Sequence, residues 1–248
     1  MNNALKGLFA ATVMMSSMNA QAALVSTDGG LGVYDTTNNV TWTSNANLFA
    51  SQYSAVSTIV TDANSANGGA GLASGMVVAG NFSSSGRMTW AAANAWVYYL
   101  DVTNYGGSNQ WALPTTVDAN SSANYPPAQS SSQMAQLFYG GLGQVVGSSI
   151  TTTHNGSYAL FSNMRSYAYW SGTQYSAGPS VAWYFNTSVG YQSNYYKFYD
   201  YYALAVSPGQ VSAVPLPGAA WLLLSALGGL GLLGRRRSGA AIDLTATA

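Results

Sequence analysis

Six tyrosines, Tyr191, Tyr195, Tyr196, Tyr199, Tyr201 and Tyr202, crowd into one short stretch near the end of the chain. A phenol has an apolar face and a polar edge. A group of them can therefore stack on the C–H face of a sugar ring while hydroxyl and amide neighbours bond its hydroxyls. If residues 190–198 run as one strand, Tyr195 and Tyr196 point to opposite sides and at least one of them faces solvent. Tyr199 and Tyr201 are then expected in the turn around Asp200. Tyr195, Tyr196, Tyr199 and Tyr201 form the candidate ligand face; the competing reading is that outward tyrosines fill strand positions through β-propensity alone.

Covalent chemistry has less to work with. His154 is the single histidine, in the loop-like stretch 151–156, and no nucleophile-elbow signature accompanies it. Asp28, Asp35, Asp62, Asp101, Asp118 and Asp200 could supply the two carboxylates of a glycosidase, but none stands in a recognisable motif. Glutamate and cysteine are absent, which excludes a thiolate metal site and a disulfide framework, and no aspartate spacing matches an EF-hand. We expect no catalytic residue, no metal and no cofactor. A hydrolase with an unrecognised aspartate site is the least favoured alternative.

Composition narrows the partners. Charged residues make up 6% of the chain, and between residues 23 and 213 the six aspartates oppose only Arg87, Arg165 and Lys197, a formal −3. Ser, Thr, Asn, Gln and Tyr must solvate the surface instead. With no basic patch, nucleic acid is excluded as a partner. A body of this length can bury a core as one domain without disulfides.

The elements that position these residues alternate in kind. Residues 32–35 and 40–43 flank Thr36, Thr37, Asn38 and Asn39, the pattern of a β-hairpin. A helix is expected over 47–60, from Leu48, Phe49, Val56, Ile59 and Val60. A second, capped by Thr89, is expected over 90–100, and a third from Met134 to Tyr139, with a capping box of Ser130 and Gln133 and a stop at Gly140 and Gly141. Strand patterns follow at 169–170, 181–185, 191–198 and 202–206, and 64–86 and 117–132 read as long loops. Trp90, Trp96, Trp111, Trp170 and Trp183 fall in periodic segments and are expected in the core. The predicted class is α+β: one domain with two or three helices and a mainly antiparallel sheet.

The two ends read as addresses. Lys6, an apolar run from Leu8 to Met15 and the small residues Ala20 and Ala22 make residues 1–22 a signal peptide cleaved after Ala22. At the other end come Val214, Pro215, Leu216 and Pro217, an apolar run over 219–234, then Arg235, Arg236 and Arg237. As a helix that run rises about 24 Å, and with 214–218 it is long enough to span a bilayer. The arginines favour a cytoplasmic end, leaving the body outside. This tail resembles the PEP-CTERM sorting signal of exopolysaccharide-producing Gram-negative bacteria, in its Val-Pro-Leu-Pro variant. Leu216 stands where the namesake motif has Glu, and residues 238–248 continue as a short cytoplasmic tail. The resemblance implies that an exosortase cuts the tail from an intermediate anchored in the inner membrane. The product then reaches the cell surface or the extracellular matrix.

The body, residues 23–213, carries a second resemblance. Met88-Thr89-Trp90 with Ala95-Trp96, Trp111-Ala112-Leu113-Pro114-Thr115, Gln133-Met134 with Leu137-Phe138-Tyr139, Tyr169-Trp170-Ser171-Gly172-Thr173, Ala182-Trp183 and 203–209 resemble the ordered blocks of the Lcl C-terminal domain family. That resemblance implies a C-type lectin-like fold. Ala112, Gln133 and Ser207 replace the family's usual Arg, Glu and Arg. The calcium motif of true C-type lectins needs Glu, which this chain lacks. The resulting expectation is a non-catalytic surface or matrix protein associated with exopolysaccharide in a biofilm, with carbohydrate as its ligand. A protein-binding adhesion module is the alternative.

Intact mass of the mature protein from a host with exosortase is expected to show Ala23 at the N-terminus and loss of the tail near Pro217. A mass that still includes Arg235 to Arg237 contradicts the processing.

Overall fold

The computed structural model describes residues 23–118, 124–125 and 132–211. The expected signal peptide, sorting motif and membrane helix lie outside these residues. Among the described residues no helix is long and apolar enough to cross a membrane.

Strand β1 (Leu24–Thr27), which the sequence reading did not anticipate, pairs with β2 (Gly32–Asp35), and β2 forms the expected hairpin with β3 (Val40–Thr43). Buried Asp35 closes that hairpin. Its Oδ1 accepts from the backbone N–H groups of Thr37 and Asn38 at 3.0 Å each, and its Oδ2 accepts from the Asn38 side chain at 2.6 Å. Asn39 completes the turn at φ 51, a left-handed conformation that Asn tolerates.

The helical part begins with α1 (Leu48–Ser51), a 3₁₀ turn (Tyr53–Ala55) and α2 (Val56–Gly69), where one helix was expected. α2 also runs on into the segment expected to be a loop, where it loses helical dihedrals at Ala66, Asn67, Gly68 and Gly69. Asn64 explains the extension: its amide and the backbone of Val77 bond each other in both directions, at 2.8 and 2.9 Å, tying the helix to the returning chain. α3 (Trp90–Val102) starts where predicted, with Thr89 Oγ1 accepting from the Ala92 N–H. α4 (Gln133–Ala135) runs into a π-helical turn (Gln136–Gly141). Its cap is Ser132, and Gln133 is not part of a box: Gln133 Oε1 accepts instead from the Thr115 N–H at 2.7 Å. Ser130 lies outside the described residues.

β4 (Ala168–Gln174), β5 (Val181–Asn186) and β6 (Tyr191–Tyr196) make a second antiparallel sheet, in that order. The chain then returns to the first sheet, where β7 (Val206–Pro208) pairs with β3. The class is α+β as expected, but the strands divide into two antiparallel sheets. Beyond β7 the chain is strapped down. Thr27 Oγ1 donates to Val211 O at 2.7 Å, Val211 N–H donates to Thr41 Oγ1 at 3.0 Å, and Thr41 Oγ1 donates to Gly209 O at 2.7 Å.

Two apolar clusters form the core. One gathers α2, α3, Trp111, Leu113, Trp170 and Ala182, and the other gathers the four-stranded sheet, Leu137, Phe138, Tyr169 and Phe185. The three-stranded sheet therefore has apolar neighbours on both faces. This is why β4 and β5 do not alternate polar with apolar residues. The five tryptophans expected in the core are all buried, and each of these five indole N–H groups has an acceptor: Ser171 O, Gln52 Oε1, Tyr105 O, Met88 O and Asp118 Oδ1 for Trp90, Trp96, Trp111, Trp170 and Trp183.

Trp111→Ala removes a buried indole whose ring N–H is satisfied, so the expected loss is about 3–5 kcal/mol of unfolding free energy. Chemical denaturation measures it. An unchanged midpoint would show that the ring carries no core energy.

Candidate functional site

The exposed aromatic residues are organised by a buried-side lysine. β6 ends at Tyr196, and the Tyr199 N–H bonds Tyr196 O at 3.1 Å to form a turn. Within it Lys197 points inward. Its N–H donates to Ser180 O, its carbonyl accepts from the Trp90 N–H, and its Nζ donates to Gln174 Oε1 at 2.6 Å and to Pro179 O at 2.7 Å. The same Nζ lies 4.2 Å from the centroid of the Trp90 ring, a cation–π contact of about 0.5–2 kcal/mol. Burial pushes the Lys197 ammonium below its ordinary pKa. With the lysine turned in, its neighbours Tyr196 and Phe198 turn out and stack on each other, with centroids 5.4 Å apart and planes 20° apart.

Tyr195 and Tyr199 extend this surface. Tyr195 lies 5.7 Å from Tyr196 and 4.5 Å from Tyr199, and Phe198 lies 5.1 Å from Tyr199. The four rings form one connected ledge, and their exposures are 38% (Tyr195), 48% (Tyr196), 68% (Phe198) and 43% (Tyr199). A hydrogen bond with Tyr199, then the nearness of that second phenol, hold the Tyr195 hydroxyl protonated above its ordinary pKa.

Two of the sequence expectations change here. The strand stops at Tyr196, two residues short of its expected end, so Tyr195 and Tyr196 are both exposed. Tyr201 is not a turn residue of the ledge. Its backbone exchanges hydrogen bonds with Met88, and its half-buried ring packs 4.6 Å from Trp170 and 5.0 Å from Tyr184. Burial raises its phenol well above the ordinary range. The ring supports the ledge from below. Phe198, the most exposed of the four, was missed because a strand through 198 would have buried one of its faces. The inward Lys197, an uncommon place for a charge, is the sequence signal that could have found it.

His154 is exposed and stacked on Tyr158 at 4.0 Å. The aspartates sit on separate elements: Asp35 in the first hairpin, Asp62 on α2, Asp101 at the end of α3, and Asp118 and Asp200 on different connections. Among the described residues no three metal-ligating side chains of the His, Cys, Asp or Glu type come together. The three positions where charge was expected by resemblance are neutral pairings. Ser207 Oγ bonds Ser108 Oγ at 2.7 Å, Gln133 bonds Thr115, and Ala112 exchanges backbone hydrogen bonds with Val206.

A cavity of about 390 Å³ opens elsewhere, beside α3. Asn94, Val97, Tyr98 and Asp101 line it at helical spacings of three and four, and so share one side of the helix. The facing wall comes from Leu72 to Ser74 and from the 111–115 segment, with Gly172 of β4. A Cβ at 172 would stand 3.1 Å from Leu113 O, a tight contact, so the close approach of β4 to this wall favours glycine. Burial raises the Asp101 carboxyl pKa, partly offset by the Trp111 N–H it accepts. Ser74 Oγ is shut away from solvent without a partner. Such an orphan costs on the order of 1–3 kcal/mol.

Comparison with known families gives one match. The family model of the Lcl C-terminal domain matches residues 32–207, and the chain belongs to that family. No curated protein and no solved structure matches the chain.

Asp118 gives the sheet behind the ledge a pH dependence. Its Oδ1 accepts from the Trp183 indole N–H and its Oδ2 from the Ser176 N–H, each at 2.9 Å. These bonds, the indole first, lower its pKa. A lowered folded-state pKa contributes stability that is present above the unfolded value and lost as pH falls through the folded one. Asp118→Asn is expected to lower the melting temperature at pH 7, and the gap to close only as the pH falls below the ordinary aspartate range and through the lowered folded-state value. A gap that does not close on acidification contradicts this account.

Proposed function

We propose that this member of the Lcl C-terminal domain family is an exported surface or extracellular-matrix protein without catalytic activity, whose aromatic ledge binds neutral carbohydrate. The observation that carries the reading is the pinned turn. Four exposed rings are held in one connected surface by a backbone and a lysine that are themselves bonded from beneath. Rings ordered in advance lose little freedom on binding, which is what favours a stacking platform over a loose aromatic loop. Ser, Thr, Asn and Gln hydroxyls and amides dominate the remaining polar surface, and they suit sugar hydroxyls better than phosphate or nucleic acid.

Several finer parts of the reading belong with it. The two antiparallel sheets with two main helices support a C-type lectin-like architecture. The tail from Val214 to Arg237 supports processing by an exosortase at the inner membrane and delivery to the surface or to an exopolysaccharide matrix of a Gram-negative biofilm. A protein partner is the second reading, because exposed aromatic residues also anchor protein interfaces.

Retention of the full exported domain on the host's own exopolysaccharide tests the assignment. Binding is expected to survive a chelator and to vary little with salt, since the ledge exposes neutral rings. Replacing Phe198 and Tyr199 together by Ala is expected to weaken it by roughly 1–3 kcal/mol, in line with ring-stacking magnitudes, with little change in melting temperature. Undiminished retention by a folded double variant overturns the ledge as the sugar site. Saturable binding to a protein that free sugar does not compete selects the second reading.

A further inference from the structure

The cavity beside α3 has the chemistry of a cation site without a protein cation. Asp101 is the one charged side chain lining it, and none of Arg87, Arg165 and Lys197, the cations among the described residues, belongs to its wall. One oxygen of Asp101 is occupied by the Trp111 N–H. The Asn94 side chain donates through Nδ2 to Trp90 O at 2.8 Å, which leaves its Oδ1 as an acceptor. Ser74 Oγ has no partner in its present rotamer. Tyr98 and Trp111 add aromatic wall, and Val97, Leu72 and Leu113 add apolar wall.

A partly buried carboxylate beside aromatic rings is stabilised most by a compact cation that can also donate hydrogen bonds. We propose that this cavity binds a small hydroxylated primary ammonium, the chemistry of a non-acetylated amino sugar. The ammonium pairs with Asp101, a hydroxyl bonds Asn94 Oδ1, and the apolar walls take the carbon skeleton. The volume is within the range of small-molecule sites. Asp101 and Tyr98 are the titratable groups of the lining, so pairing requires an ionised Asp101. Affinity rises with pH through the carboxylate range and falls again when the amine loses its proton. The site does not depend on the aromatic ledge.

Calorimetric titration of the exported domain with glucosamine, glucose and N-acetylglucosamine separates charge from hydroxyl recognition. Glucosamine is expected to bind at least about tenfold more tightly than the two neutral sugars. Asp101→Asn, which keeps an acceptor for the Trp111 N–H, is expected to abolish that preference. Ser74→Leu, which narrows the cavity from the turn rather than the helix, is expected to weaken glucosamine binding with the melting temperature retained. The Phe198→Ala/Tyr199→Ala variant is expected to bind glucosamine normally, so failure of the ledge and failure of the cavity are distinguishable. Equal affinity for the three sugars, no binding of glucosamine, or an Asp101→Asn variant that keeps the preference overturns the proposal.

Discussion

One extended segment, residues 201–207, ties the domain together. Its backbone bonds Met88 through Tyr201, Ala168 and Trp170 through Tyr202, Thr43 through Ala205, and Ala112 through Val206. Its side chains alternate. Ala203 and Ala205 enter the helical cluster, and Leu204 and Val206 enter the cluster under the four-stranded sheet. A strand with a core on each side cannot slip by one residue without exchanging small side chains for large ones in both cores. Each sheet, α3 and the wall of the cavity are thus registered against the same few peptide groups.

That constraint also explains the aromatic ledge. Tyr201, the first residue of the segment, is fixed against Met88 and Trp170, and this forces the chain between β6 and Tyr201 into a short turn. Lys197 then has only an inward path, where the Trp90 ring and two oxygens receive it. The cost of a partly buried ammonium is offset by bonds that also stop the turn from collapsing onto its own rings. Exposure of apolar rings is ordinarily unfavourable, and here it accompanies the anchoring of the lysine between them to Gln174, Pro179 and the Trp90 ring.

Much of this was legible in the sequence, and unevenly. The first hairpin could be read because turn formers at 36–39 separate two strand-like runs, and α3 because Thr89 caps an apolar stripe. The buried tryptophans could be read from their periodic settings. β1 could not: Leu24, Val25, Ser26 and Thr27 do not alternate apolar with polar residues, although they pair with β2 across a connection of only residues 28–31. The extension of α2 depends on Asn64 meeting Val77, a tertiary contact. Ser132 caps α4, and the Gln133 side chain expected in a capping box bonds Thr115, a residue from a distant segment. The cavity was invisible for a related reason. Asn94, Tyr98 and Asp101 are the polar complement of the stripe that identified α3, and only the arrival of Trp111 and β4 encloses them. Local signals located the elements, and side-chain pairings across the fold decided where they ended and what they enclosed.

The strap beyond β7 has a mechanical meaning. Val211 is held between Thr27 and Thr41, and Gly209 bonds both Asn39 and Thr41. A pull transmitted along the chain from beyond Val211 reaches these bonds before it reaches either core. The β3–β7 ladder runs antiparallel, with its hydrogen bonds perpendicular to the strands, so a force along the strand direction loads them side by side in shear. Bonds that share a load must break together, whereas bonds peeled from one end break in turn. The domain thus meets tension from that end with hydrogen bonds that share the load.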